Sequence, residues 1–167
     1  MNKYLNEGYF GLLCGIVALI YFSYQGLTRE KIKSKDDLTD VQGNFLNYSF
    51  RDNTGYKSQG HQYYIWIDGY QNPFQIKADY LGIFKGIEFI TTVRRGDNVQ
   101  FTIPKFQANK LNSDEHVFVT SIKVKRSTYL SMDKTLEIEK AISASYADFF
   151  LAGGFFIVGL VVYIRNR

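Results

Sequence analysis

Apolar residues are concentrated near the two ends of this chain. Tyr9–Tyr24 and Phe149–Ile164 carry no charged residue, and the stretch between them is polar and rich in turn residues. Each run has 16 residues, about 24 Å as a helix against the roughly 30 Å of a bilayer's hydrocarbon core. Gly26 and Leu27 extend the first, Ser145–Ala147 extend the second, and Tyr4, Tyr21, Phe22, Tyr24 and Tyr163 are rings suited to the headgroup level. The pattern predicts two transmembrane helices, 8–27 and about 147–164. The alternatives are two buried helices of a soluble protein, or a cleaved signal peptide at the first run. Glu7 before that run and Tyr-Phe-Ser-Tyr-Gln at its end do not suit a cleavage site.

Gly8, Gly11, Gly15 and Ala18 fall at steps of three and four on one helical face. Such a face lets a second backbone approach closely. Ala144, Ala147 and Gly154 form the matching stripe expected on the second helix, with Gly153 and Gly159 nearby. These residues are expected to pack the helices on each other or on another subunit.

The middle of the chain, 38–132, has the texture of short strands. Val41–Arg51 opens it. His61–Ile67 alternates and leads into Asp68-Gly69, a hairpin signal, with a return strand from Tyr70 to Lys77. Ile83, Ile87 and Ile90 repeat at helical spacing within Tyr80–Val93. Val99, Phe101 and Ile103 alternate up to Pro104, Asn109–Glu115 reads as a polar loop, and Val117–Lys125 and Thr128–Leu130 complete the strands. Five or six antiparallel strands with one helical insertion imply a small barrel of OB or SH3-like type, whose closure the insertion leaves open. From Asp133 the pattern turns helical, and no Pro or Gly interrupts Lys134–Ala152. One continuous helix, 133–165, is therefore expected to carry the second membrane segment. The fold class is membrane α+β: two transmembrane helices bracketing a β-barrel.

Charge changes the picture only near the bilayer. The net charge is +4, yet Asp36–Lys140 holds 13 basic and 13 acidic residues. The excess sits beside the apolar runs, a bilayer footprint and not that of a nucleic-acid polymer. Arg29, Lys31, Lys33, Lys35, Lys134 and Lys140 on the loop side outnumber Lys3, Arg165 and Arg167 on the terminal side. This predicts a multi-pass protein of the cell (inner) membrane with the β-domain in the cytoplasm. Cys14 is the only cysteine, which excludes an intrachain disulfide.

Candidate chemistry is sparse. His61 and His116 are the only histidines, and no local spacing surrounds them with metal ligands. No dinucleotide, P-loop, zincin or nucleophile-elbow motif occurs. No catalytic residue, cofactor or metal is assigned. The unusual feature is aromatic density: Tyr63, Tyr64, Trp66, Tyr70, Phe74 and Tyr80 lie within 18 residues. Tyr64, Trp66, Tyr70, Phe74 and Lys77 are the candidate partner or ligand surface. The competing reading places alternate rings inside the barrel.

Val41-Gln42-Gly43, Ile65-x-Ile67-Asp68-Gly69 and Arg95-Gly96-Asp97-x-Val99 give the chain a resemblance to a family. It resembles small bacterial membrane proteins of unknown function whose two transmembrane segments bracket an OB- or SH3-like barrel. That resemblance implies no catalytic residues. The expected function is non-enzymatic: an interaction or scaffold subunit whose barrel docks a partner at the membrane surface, in a homo-oligomer or a larger membrane complex. The alternative is a ligand-sensing effector whose barrel binds a small molecule, such as a nucleotide, and acts on the helices.

Overall fold

A computed structural model describes residues 3–28, 31–54, 60–113, 115–144 and 147–165. The chain divides into two compact units. One is made of the terminal segments, Met1–Lys31 with Ser143–Arg167, and the other is Ile32–Ile142.

The terminal unit is a helical pair, α1 (Lys3–Thr28) and α4 (Ala147–Arg165). They run antiparallel, with Tyr9 against Tyr163 and Phe22 stacked on Phe155. Glycine sets the approach. A Cβ on Gly159 would lie 2.6 Å from the Gly11 carbonyl oxygen, and one on Gly15 would lie 3.2 Å from the Phe155 carbonyl oxygen. The expected stripe is thus half realised. Gly11 and Gly15 are in the contact and Ala18 is half-buried, but Gly154 is exposed with open space above its Cα. Ala152 is buried in its place. Gly154 lies two residues beyond Ala152, about 200° round the helix, so both cannot face one partner. The side chains at Gly8 and Ala147 lie outside the described residues.

Among the described residues one helix, not two, is long and apolar enough to cross a membrane: Tyr9–Thr28, of 20 residues. Phe149–Arg165 is apolar but shorter. The single helix expected over 133–165 is two, α3 (Met132–Ser143) and α4, with Ala144 in a turn and residues 145 and 146 outside the described residues.

The middle unit is a seven-stranded mixed sheet: β1 (Leu38–Thr54), β2 (Gly60–Ile67), β3 (Phe74–Ile76), β4 (Asn98–Pro104), β5 (Val117–Val119), β6 (Ser121–Val124) and β7 (Ser127–Leu130). Its order is β5-β3-β2-β1-β4-β6-β7. Every pairing is antiparallel except β3 with β5. This corrects the expected antiparallel barrel: the sheet is mixed and its hydrogen-bonded ladder is open. The physical reason is the route to β5. After β4 the chain crosses a 3-10 segment, Lys105–Asn112, and enters beside β3 in the same direction. The last long strand then breaks at Thr120, whose N–H and hydroxyl both donate to the Thr102 carbonyl. Its first half pairs with β3 and its second half with β4. One continuous segment thus serves both wings of the open sheet. The expected helix in Tyr80–Val93 shrinks to a 3-10 turn, Ala78–Tyr80, and the seven-residue α2 (Gly86–Thr92).

β1 changes neighbours midway. Leu38–Asn44 pairs with β4, and Phe45 onward pairs with β2. The three motif segments meet at this change. Asp68 Oδ1 accepts from the Asn44 N–H at 2.5 Å, and Asp68 Oδ2 accepts from Asn44 Nδ2 at 2.8 Å. The Phe45 N–H donates to the Asp97 carbonyl, and the Gly96 N–H donates to the Phe45 carbonyl. Asp68 therefore clamps β1 instead of closing a two-residue hairpin, and the connection to β3 runs through 68–73. Only glycine fits at 43, where a Cβ would lie 2.8 Å from the Asp68 backbone oxygen. Gly43→Ala is expected to cost about 1–3 kcal/mol, read as a lower denaturation midpoint followed by Trp66, the only tryptophan.

The core is built from inward positions of this sheet, including Ile65, Ile67, Phe74, Phe101, Ile122 and Leu130. Phe89 of α2 and Tyr80 close one side of it. A smaller cluster joins Ile32, Leu38 and Leu136, placing α3 on the sheet.

Acid stability follows from the turns. Asp97 takes hydrogen bonds from Lys125 and the Arg94 N–H, and these hold its carboxyl below the usual carboxylate range. The side chains of His61 and Tyr63 lower Asp52, the backbone N–H groups of Lys33 and Ser34 lower Asp37, and Lys35 lowers Asp133. Groups depressed in the folded state stabilise it above their unfolded pKa of about 3.9. Stability should be flat at neutral pH and fall as pH drops below about 4 through the lowered values. Asp97→Asn should make that acid decline shallower in denaturation curves taken from pH 7 to 2.5.

Candidate functional site

Alternation along β2 sorts the aromatic cluster. Ile65 and Ile67 are fully buried, so Tyr64 and Trp66 point to the opposite, outward face. Strand register extends this face. Ser49, Tyr64, Gln75 and Phe118 lie side by side across β1, β2, β3 and β5, and Asn47 sits opposite Trp66. The Tyr64 ring is 6.1 Å from Trp66 and 4.9 Å from His116, which directly precedes β5. Tyr64, Trp66, Gln75 and Phe118 are half-buried and His116 is exposed. The result is a row of rings across the sheet, rimmed by neutral amides and a hydroxyl.

Three of the five expected surface residues need correction. Phe74 is fully buried, 4.9 Å from Phe101 between ring centres. Its partner in register is Ile65, an inward position, so it cannot share a face with Tyr64. Tyr70 is half-buried, edge-on against Phe74. Lys77 borders the outward face but is engaged: its Nζ lies 2.6 Å from Glu139 Oε1 and stacks over the Tyr80 and Phe118 rings. Glu139 also accepts from the Tyr80 hydroxyl at 2.5 Å. Burial, then this carboxylate, pushes the Tyr80 phenol far above its ordinary range. His116 and Phe118 escaped the sequence reading because their place beside Tyr64 depends on the parallel β3–β5 register.

Three other places were considered. Asp52 receives hydrogen bonds from His61 and Tyr63 near the end of β1 and the start of β2; burial, then Asp52, raises the Tyr63 phenol. A polar groove of about 630 Å³ lies over β1, β4 and β6, lined by Asp40, Gln42, Gln100, Thr102, Ser121 and Lys123. An apolar groove of about 280 Å³ lies between Phe50, Tyr63, Leu81, Phe84, Ile87 and Ile90. Among the described residues no group of three or more His, Cys, Asp or Glu is placed to hold a metal ion.

No protein-family model matches the chain, and no curated protein sequence matches it. Among solved structures, the crystal structure of yeast Stn1 and Ten1 is similar over 92% of this chain and 71% of that chain, at 11% identity and a TM-score of 0.35, a likeness too distant to carry a function.

Proposed function

We propose that this protein is an integral membrane scaffold subunit whose OB-like domain docks a partner at the membrane surface. The observation that carries this reading is the bareness of α1. Only 6% of its apolar window is buried by protein, whereas the core helix of a soluble protein is mostly covered. Phe10, Leu13, Val17 and Ile20 are exposed on α1, and Phe150, Ile157, Val158 and Val161 on α4. Such surface is stable against lipid and costly against water. The close Gly11–Gly159 approach suits helices held by packing contacts in lipid. Both helices then cross or enter the inner membrane, and the excess of Lys and Arg on the loop side favours a cytoplasmic domain.

Carbonate washing of host membranes, then native mass measurement in mild detergent, tests this. The expected result is retention in the pellet and a mass above that of one chain. Release as a dispersed, folded monomer without detergent would end the reading.

One observation favours ligand sensing as a second reading. Lys77 touches Phe118 of the aromatic face and is paired with Glu139 of α3, the helix that precedes α4 in the chain. A small molecule that moved Lys77 would bias α3, provided it bound the two arrangements unequally. Calorimetry against a nucleotide panel separates the two readings, since the scaffold reading expects no heat.

A further inference from the structure

The docking reading leaves the partner's chemistry open, and the aromatic face narrows it. We propose that this face binds a proline-rich segment in the polyproline II conformation; this rests on the docking reading.

The first consideration is the backbone. β2 lies between β1 and β3, and β3 lies between β2 and β5. Their ladder groups are engaged on both sides at Tyr64 and Gln75, so a partner cannot add a strand there. The polar and apolar grooves described above are lined by other residues, so neither supplies walls for a docked helix on this face. What remains is recognition by ring faces and side-chain donors.

Charge is the second consideration. Asn47, Ser49, Gln62 and Gln75 surround the rings; Lys77 at their border is held by Glu139, and Arg51, opposite Gln62, is an exposed cation at one end of the face. A nucleic-acid strand demands cations along its phosphates. The face supplies stacking with Arg51 at one end of it, not a line of cations along a strand.

Hydrogen-bond sense decides the rest. Neither the Tyr64 hydroxyl nor Trp66 Nε1 has a partner within the described residues, and no carboxylate stands in the rows that carry them. The rings therefore carry free donors on a flat apolar surface, with amides and a hydroxyl at the rim that both donate and accept. A polyproline II segment is the complement: its carbonyls are unpaired, proline has no N–H, and its rings are flat and apolar. Its backbone is already extended, so little entropy is lost on docking.

Trp66 is the only tryptophan in the chain, so its emission reports this face directly. The full-length protein in detergent micelles would be titrated with a synthetic Pro-x-x-Pro repeat peptide, a proline-free peptide of equal length and charge, a thymidine oligonucleotide and a neutral oligosaccharide. The expected result is a saturable change with the proline-rich peptide alone, weakened at least tenfold by Tyr64→Ala and several-fold by Tyr64→Phe. Ile87→Ala, in the apolar groove, should leave it unchanged. Saturable binding of the proline-free peptide, the oligonucleotide or the sugar in place of the repeat would overturn the proposal. So would silence with all four up to millimolar concentration in a protein whose circular dichroism is native. A partner that co-purifies equally well with the Tyr64→Ala protein would leave the scaffold reading standing and sink this one.

Discussion

Replacing Glu139 with leucine is expected to destabilise the middle domain by about 3–5 kcal/mol. Glu139 is buried and its carboxylate serves two donors, Lys77 and Tyr80. Removing it leaves the Tyr80 hydroxyl without an acceptor in a ring that is fully buried, a cost of about 1–3 kcal/mol. It also leaves the Lys77 ammonium unpaired with its side chain only 24% exposed, so water can restore part of its hydration but not all. Against a typical total of about 5–15 kcal/mol, that loss is large. The Lys77→Met and Glu139→Leu double variant should regain a substantial part, because no bare charge is then left behind. Denaturation of the four proteins of that cycle, followed by Trp66 emission, checks this. Additive losses would mean that Lys77 and Glu139 do not interact.

Phe74→Ala is expected to cost about 3–5 kcal/mol, while Tyr64→Ala changes stability by about 0.5 kcal/mol or less. The two residues sit ten positions apart in one aromatic cluster, and the sequence does not tell them apart. In the fold, Phe74 packs on Phe101 and Tyr70 inside the core, and Tyr64 faces outward beside His116. Truncating Phe74 removes its transfer energy and opens a cavity that a packed sheet cannot fill. Truncating Tyr64 removes rings from a half-exposed surface. A Phe74→Ala protein with unchanged denaturation midpoint would contradict its placement.

How much of this was legible depends on distance along the chain. β2 was readable because its inward isoleucines alternate with Tyr64 and Trp66, and period two needs only near neighbours. β3 was not. It has three residues, follows Pro73 and an irregular connection, and offers too short a pattern to fix which side Phe74 takes. The turn segments were read as turns, but their convergence on the bend of β1 was invisible, since Gly43, Asp68 and Asp97 are joined only by cross-strand bonds. On α4 small residues stand at several phases, Ala147 and Gly154 at one and Ala152 and Gly159 at another. The sequence does not say which phase faces the partner: Gly159 meets Gly11 and Gly15, Ala152 seven residues before it is buried, and Gly154 is exposed.

The sequence by itself determined the local properties: two charge-free apolar segments, a domain of short strands between them, the sense of alternation along β2, and glycine faces on α1. These follow from residue chemistry and the helical and strand periods, which act over a few positions. Tertiary structure alone decided that β5 joins β3 in parallel, that Thr120 divides the last long strand, that Lys77 is consumed by Glu139, and that His116 and Phe118 complete the aromatic row. Each of these unites residues separated by long loops or whole elements. Their pairing is selected by the packing of the entire core, which no short window of sequence contains.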